Sequence, residues 1–431
     1  MAKRYARSRS RHLLAKLMRD VIDSLPQRFQ RQRLIGPRLA FIALLRLCAP
    51  LSRETLPSTI TGLFTLLGQR LGWKEQPDRS SLSRNLHKLT PFLDQVVAKT
   101  RRIAGMIGRV ASSLAMGSGR IIAVDGSWMA LPSSKPLRAK YGTHRNGNAR
   151  MRGKATYRPQ ALVVVLYDVI AGVPIAHELL PFNGGERNAL RKLLRHLKRG
   201  DTLLMDRGYM SKSILAQLQK AGVHFVLRLP TGANGWREAR EFKKNKRRAQ
   251  SVTFDEDGVK LRLVRATRPK SRSGVGSATR EEIVLATDLH LPIDAIRRLY
   301  AARWRIEGFF GDLKGLQSAE HLHGRDGEAL RREVVARFLW FTLAAFADHL
   351  MDAADRSDLS RANRRALFAI IACILEAVIC LRPPPQEVDV ALAHLARRRP
   401  KARPGRSFPR KAKSPDSKWS GDRKGRQKRK A

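Results

Sequence analysis

The sequence predicts an α/β fold in which a mixed β-sheet forms the core, a β-rich insertion interrupts it, and helical regions flank it on both sides. Three observations carry this expectation. Apolar residues recur at helical spacing through residues 1–115 and again from 331 to 396. Between them, short β-branched runs alternate with helical periodicity, the texture of strands covered by helices. Within that stretch, residues 231–280 are rich in Lys and Arg and carry a hairpin signal of their own.

The N-terminal region, 1–115, reads as helices punctuated by Pro50, Pro57 and Pro77. The segment from Asp78 to Leu86 can open a DNA-contacting helix with Ser80 or Ser81 as its N-cap, or be an ordinary capped helix. The core, 116–330, begins with the run Arg120 to Val124, ending at Asp125-Gly126. Ala161 to Tyr167 is apolar almost throughout, as for a strand covered on both faces. A strand at Val173 to Ala176 and a helix from Glu186 to Leu197 follow. Thr202 to Met205 is a strand ending at Asp206-Arg207-Gly208, then come a helix, Ser211 to Lys220, and a strand, Val223 to Leu229. The order β-β-β-α-β-α-β is that of a ribonuclease-H-like core, which needs one more helix. The insertion comes first, with a turn at Asp257-Gly258; the core resumes at Ile283 to Thr287 and the last helix follows Pro292. Residues 331–396 are helical, and 397–431 form a low-complexity basic tail that cannot bury enough apolar surface to order itself.

The chain carries 85 Lys+Arg against 36 Asp+Glu, a formal net charge of +49, which argues against a metabolic enzyme with small substrates and for a polyanionic partner. The tail accounts for +14, so the remainder is basic in its own right. Cys48, Cys373 and Cys380 show no CxxC spacing, which argues against a disulfide framework or zinc and fits a reducing cytosol. The N-terminus lacks a signal-peptide pattern, and the longest apolar run, Ala366 to Leu381, contains Glu376 and suits a buried helix better than a membrane span. The expectation is a cytoplasmic, nucleoid-associated protein without a membrane partner. His144, His177 and His224 have no metal-ligand spacing, and Asn146-Gly147 and Gly184-Gly185 read as turns.

Three acids stand out by position. Asp125 and Asp206 end strands that neighbour one another in a ribonuclease-H-like sheet, and Glu307 lies on the helix expected to pack back onto that edge. Singly, the two Asp residues are turn formers and Glu307 a solvated helix charge. Jointly they form a carboxylate cluster whose repulsion divalent cations relieve; two such ions clamp the attacking and leaving oxygens of a phosphoryl transfer. Taken as one helix at about 100° per residue, the segment around Glu307 places Tyr300, Arg303, Glu307 and Lys314 within an arc of roughly 60°. That face offers metal ligation by Glu307, phosphate contacts by Arg303 and Lys314, and a Tyr300 ring for sugar, phosphate or an unstacked base. Lys243 and Lys244 open a basic run that can contact phosphates or simply be solvated.

The spacing Tyr300-x2-Arg303-x3-Glu307-x6-Lys314 resembles the YREK signature of bacterial insertion-sequence DDE transposases of the IS-four type. Asp125-Gly126-Ser127 and Leu204-Met205-Asp206-Arg207-Gly208-Tyr209 resemble that family's first and second Asp motifs. The resemblance spans roughly residues 115–350 and includes a β-rich insertion between the second Asp and the Glu. It implies a ribonuclease-H-like fold and Mg²⁺ (or Mn²⁺) held by Asp125, Asp206 and Glu307, Asp125 bridging both ions. It implies cleavage at element ends and transfer of the 3′-OH ends to target DNA. Tyr300, Arg303 and Lys314 would position DNA, and Arg207 and Tyr209 of the second motif would also contact it. The partners implied are double-stranded DNA, as terminal inverted repeats and target, and a second subunit in a dimer on DNA. The alternatives are a ribonuclease-H-like nuclease without strand transfer and a non-catalytic DNA-binding repressor. Trp236 in the insertion is a candidate base stacker or an ordinary packed residue.

Overall fold

Five N-terminal helices lead into the sheet: α1 (Ala2–Asp23), α2 (Pro37–Leu47), α3 (Leu56–Leu67), α4 (Arg79–His87) and α5 (Leu93–Ser112). The computed structural model describes residues 2–27, 35–51, 54–112, 119–143, 159–233, 235–245, 247–254, 259–269, 280–319, 321–351 and 362–397. The basic tail beyond 397, the Asp257-Gly258 turn, His144 and Asn146-Gly147 lie outside the described residues. In the helix expected to meet DNA, α4, the N-cap is Asp78, not Ser80 or Ser81: its carboxylate accepts the Ser80 N–H at 2.6 Å. Leu82 and Leu86 face inward.

The sheet is built around β1 (Ile121–Ala130). Then follow α6 (Lys135–Tyr141), β2 (Gln160–Asp168), β3 (Val173–Pro181), α7 (Glu186–Leu193), β4 (Thr202–Met205), α8 (Lys212–Lys220) and β5 (His224–Leu229). Strand order is β3-β2-β1-β4-β5, with β2 antiparallel to both neighbours and β1, β4 and β5 parallel. This is the ribonuclease-H-like arrangement expected from the sequence. The insertion does not stand apart: α9 (Arg237–Lys244) follows β5 directly, then β6 (Ala249–Phe254), β7 (Val259–Pro269) and β8 (Arg280–Thr287) extend the same sheet to eight strands. β8 joins it antiparallel to β5, with Leu227 opposite Ala286. Lys243 and Lys244 are the last two residues of α9.

The chain continues through α10 (Ile293–Ala302), α11 (Arg305–Gly315), α12 (Gly327–Leu350), α13 (Arg364–Ile379) and α14 (Glu387–Arg397). The helix expected to run through Tyr300 and Lys314 is therefore two helices. At the break the backbone bonds shorten to i→i−3: Arg303 N–H to the Tyr300 carbonyl (3.1 Å) and Glu307 N–H to the Trp304 carbonyl (3.1 Å). This tight turn changes the angular spacing on which a single helical face was reckoned.

Alternation along β2 explains the layers. Leu162, Val164 and Leu166 face one side with Leu190, Leu215 and Phe242 of α7, α8 and α9. Val163, Val165 and Tyr167 face the other with Ile296, Phe309 and Leu339 of α10, α11 and α12. That second cluster runs on without a gap into α1, α2, α5 and α13, so the N- and C-terminal helices form one layer on one face of the sheet. α12 is buried nearly all round. Its Glu333 accepts the backbone N–H groups of His323 (2.8 Å) and Gly324 (2.7 Å), and Arg337 donates to the Gln317 carbonyl, fixing the segment that follows α11. The apolar run around Glu376 is α13, with Glu376 on its exposed side. Among the described residues no helix is long and apolar enough to cross a membrane.

Candidate active site

Parallel pairing sets Ala123 of β1 opposite Leu204 of β4, so two residues further on Asp125 and Asp206 come level. Neighbouring strands are about 4.8 Å apart. Asp125 does not end its strand, as the sequence suggested; β1 continues five residues past it to Ala130 while β4 stops at Met205. The edge that carries both Asp residues is thus the place where β4 ends beside a strand that continues. Asp206 caps the turn that follows, its Oδ1 accepting the Gly208 N–H at 2.8 Å.

The third acid arrives through Arg303. Its Nη1 donates to Asp125 Oδ2 (3.1 Å) and its Nη2 to Glu307 Oε1 (2.9 Å), so one guanidinium spans both carboxylates. Burial works against the charge on Arg303, but Tyr300, Asp125, Glu307 and Asp206 outweigh it and hold its pKa above the ordinary value. Burial pushes the Asp125 carboxyl up, and the Asp206 and Glu307 charges add to this; Arg303 and the Gly126 N–H pull it back. Tyr300 is buried with its ring 6.0 Å from the Arg303 guanidinium, so it supports Arg303 and presents little surface to DNA. Trp304, next in the chain, is 47% exposed.

A fourth carboxylate enters from the other face of the sheet. Glu186, the first residue of α7, is pushed up to about 7 by burial first and then by the Asp125 and Asp206 charges. Two glycines make room for it. A Cβ on Gly126 would lie 2.3 Å from Glu186 Oε1, and one on Gly208 would lie 3.1 Å from Asp206 Oδ1 and 3.5 Å from Glu186 Oε2. Sequence reasoning missed Glu186, taking it only as the first residue of a helix. The available signal was a glycine next to each Asp motif, which marks close approach.

Tyr209, expected on DNA, is fully buried, and its hydroxyl has no hydrogen-bond partner among the described residues. Burial, followed by Glu186, Asp125 and Asp206, holds its pKa well above the usual tyrosine value, so it stands among the acids as an uncommitted donor. Lys314 lies two turns beyond Glu307 on α11, partly exposed. Arg207 and Lys243 are exposed and line a shared cleft of about 530 Å³ with Arg228 and Thr231. Lys244 is exposed at the end of α9; Trp236 packs against the small core cluster.

Every candidate ligand is a carboxylate oxygen, the donor set of a hard divalent cation and not of zinc. The unpaired Tyr209 hydroxyl and the repulsion among four acids fit such an ion. Among the described residues no three acids or histidines are already gathered at ligand distance; Arg303 supplies the positive charge there.

A sheet in this order, with acids gathered where its parallel strands β1 and β4 meet, defines the ribonuclease-H-like class. Residues 116–343 match the family model described as the transposase DDE domain. That is more than half of the chain, and the chain belongs to this family. No curated protein matches the sequence. Among solved structures the chain is similar to piggyBac transposase, in a cryo-EM structure of its synaptic complex with hairpin DNA. The two share 11% identity over 92% of this chain and 87% of that one, with a TM-score of 0.49; so loose a likeness says nothing about individual residues.

Proposed function

We propose that the chain is the transposase of an insertion sequence of the IS-four type, which cuts the element's ends and transfers their 3′-OH groups to target DNA. The observation that carries this reading is the bridge of Arg303 between Asp125 and Glu307 with Asp206 on the adjoining strand. Residues far apart in sequence meet as one carboxylate cluster inside a strongly basic protein.

Asp125, Asp206 and Glu307 would hold Mg²⁺ or Mn²⁺. When bound, the ions supply an activated oxygen nucleophile and neutralise charge on the leaving oxygen. The protein's own residues do the rest. Arg303 keeps Asp125 and Glu307 at a common locus and offers one of its other N–H groups to a phosphate oxygen. The Tyr209 hydroxyl donates to an oxygen brought among the acids. Lys314 and the cleft of Arg207 and Lys243 hold the DNA backbone on either side, with Lys244 adding to the basic rim. Tyr300 keeps Arg303 upright from beneath. The DNA is double-stranded, in the form of terminal inverted repeats and a target, and pairing two ends implies a dimer on DNA. Such a protein works in the cytoplasm at the nucleoid.

The test is incubation of the full chain and Mg²⁺ with a duplex carrying the DNA that flanks its coding sequence. Nicked ends and joined products support the proposal. Cutting without joining replaces it with a nuclease.

A further inference from the structure

β6 is the outermost strand of the eight-stranded sheet, and among the described strands β7 is its one partner. An edge strand offers a row of unpaired N–H and C=O groups to any other strand, and proteins normally guard it with Lys, Pro or a bulge. β6 carries none of these. Its sequence is Ala-Gln-Ser-Val-Thr-Phe, and it pairs with β7 in unbroken register from Ala249 to Phe254. Six consecutive uncharged residues at a sheet edge stand out in a chain of net charge +49.

The pairing with β7 fixes which backbone groups are open. The Arg265 N–H donates to the Arg248 carbonyl at 3.0 Å, and these two residues continue the register that sets Ala249 against Val264. Hydrogen-bonded and non-hydrogen-bonded pairs alternate along an antiparallel ladder. Gln250 and Val252 therefore bond toward β7, while Ala249, Ser251 and Thr253 turn their N–H and C=O groups outward. Among the described residues no backbone hydrogen bond meets them there. The Ser251 and Thr253 side chains are exposed as well.

The charges flanking β6 select the partner. Arg247 and Arg248, both exposed, precede the strand. Asp255, Glu256 and Asp257 follow it in the sequence and lie outside the described residues. A second copy of the strand, laid antiparallel, brings acids where the first copy has bases. Directly opposite residues point to the same face of a sheet, so the two-fold axis passes through a residue and not between two. The open set centres that axis on Ser251. Ser251 then meets its own counterpart, Ala249 meets Thr253, and sequence order sets Arg247 against Asp255, an attractive cross-strand pair.

We propose that two copies of this chain associate through β6, edge to edge and antiparallel about a two-fold axis at Ser251, and so join their sheets. This pairing needs neither DNA nor metal and is independent of the acid cluster's chemistry.

Sedimentation equilibrium of the full chain, without DNA or divalent cation, reads the association; wild type is expected to show a monomer–dimer equilibrium. Ser251→Pro removes one outward N–H per copy and none that β7 uses, and should weaken the dimer about tenfold or more with an unchanged circular-dichroism spectrum. Arg247→Asp and Asp255→Arg each set like charges against one another in a dimer of their own kind, and each should weaken it. Mixing the two variants restores opposite charges at both ends, so the mixture should form a heterodimer more tightly than either variant pairs with itself. In a Cys373→Ser background, which removes the exposed native thiol, mild oxidation should link Ser251→Cys to its counterpart across about 5.5 Å between α-carbons. Thr253→Cys, about 14 Å from its counterpart in this register, should stay unlinked. A wild type that is monomeric at about 100 μM, a dimer indifferent to Ser251→Pro, or a mixture no tighter than its parts overturns the proposal. If a wild type that is monomeric without DNA still cuts its flanking DNA with Mg²⁺, only this pairing fails. If the β6 dimer forms and nothing is cut, only the catalytic reading fails.

Discussion

The two sides of the acid cluster handle charge in opposite ways. On the α11 side, Asp125 and Glu307 share a buried guanidinium, and their charges are balanced within the protein. On the α7 side, Glu186 has no such cation among the described residues; burial and then the neighbouring Asp charges raise its pKa to about 7. One side is poised by an ion pair and the other by an acid that gives up its charge. The difference teaches that this cluster has too many carboxylates to be stable fully ionised without added positive charge, which is the physical case for a divalent cation.

Breaking the cluster at Asp125 should have the largest effect. Asp125→Asn is expected to lower cleavage of flanking DNA by about 10³-fold or more, because residues acting as a unit fail together. DNA binding should persist, since the basic surface is intact; gel-shift and cleavage assays on the same preparation check both. Removing the balancing charge comes next. Arg303→Ala leaves Asp125 and Glu307 facing each other, and with partly exposed acids the cost is about 2 kcal/mol, measured by urea unfolding without metal. Added Mg²⁺ should recover part of that loss, and no recovery would argue that the ion goes elsewhere.

Gly126→Ala probes the other side. Its Cβ would press on the Glu186 carboxylate, and the strain should destabilise the protein by about 1–3 kcal/mol. Combining it with Glu186→Ala should relieve that strain, so the two effects will not add in a double-mutant cycle. Additive effects would mean that Glu186 does not fill this space.

The smallest effect is a pH dependence. The folded pKa of Glu186 is raised to about 7 from 4.5, so the folded state holds a proton that the unfolded state has lost. Stability is then greatest below about pH 4.5 for this group and falls as pH rises through 7. Glu186→Gln removes the loss. Allowing for its partial exposure, the metal-free variant should exceed wild type by about 1 kcal/mol at pH 8 and match it at low pH.

Much of this site is legible in the sequence because strand order is. Once Asp125 and Asp206 are set on the first and fourth core strands, parallel pairing brings them level, and the last helix needs only to pack on that edge. What stays hidden depends on contacts that no local pattern encodes. The end of β1 was misplaced because Asp125-Gly126 looks like a turn, whereas Gly126 keeps the strand going and leaves room for Glu186. The break between α10 and α11 has no Pro or Gly at Arg303-Trp304 to announce it. The hairpin of β6 and β7 was visible, but its joining to β5 through β8 was not, since edge pairing is a property of the assembled sheet. Likewise the helical ends read as separate regions, and only tertiary packing shows them sharing one apolar layer.

The most direct test of the central claim is the product of wild type and Asp125→Asn, Asp206→Asn and Glu307→Gln on flanking-end DNA with Mg²⁺. The account predicts cut and joined products for wild type and neither for any of the three variants, with all four proteins binding the DNA. Cleavage by any one variant at the wild-type rate would contradict it.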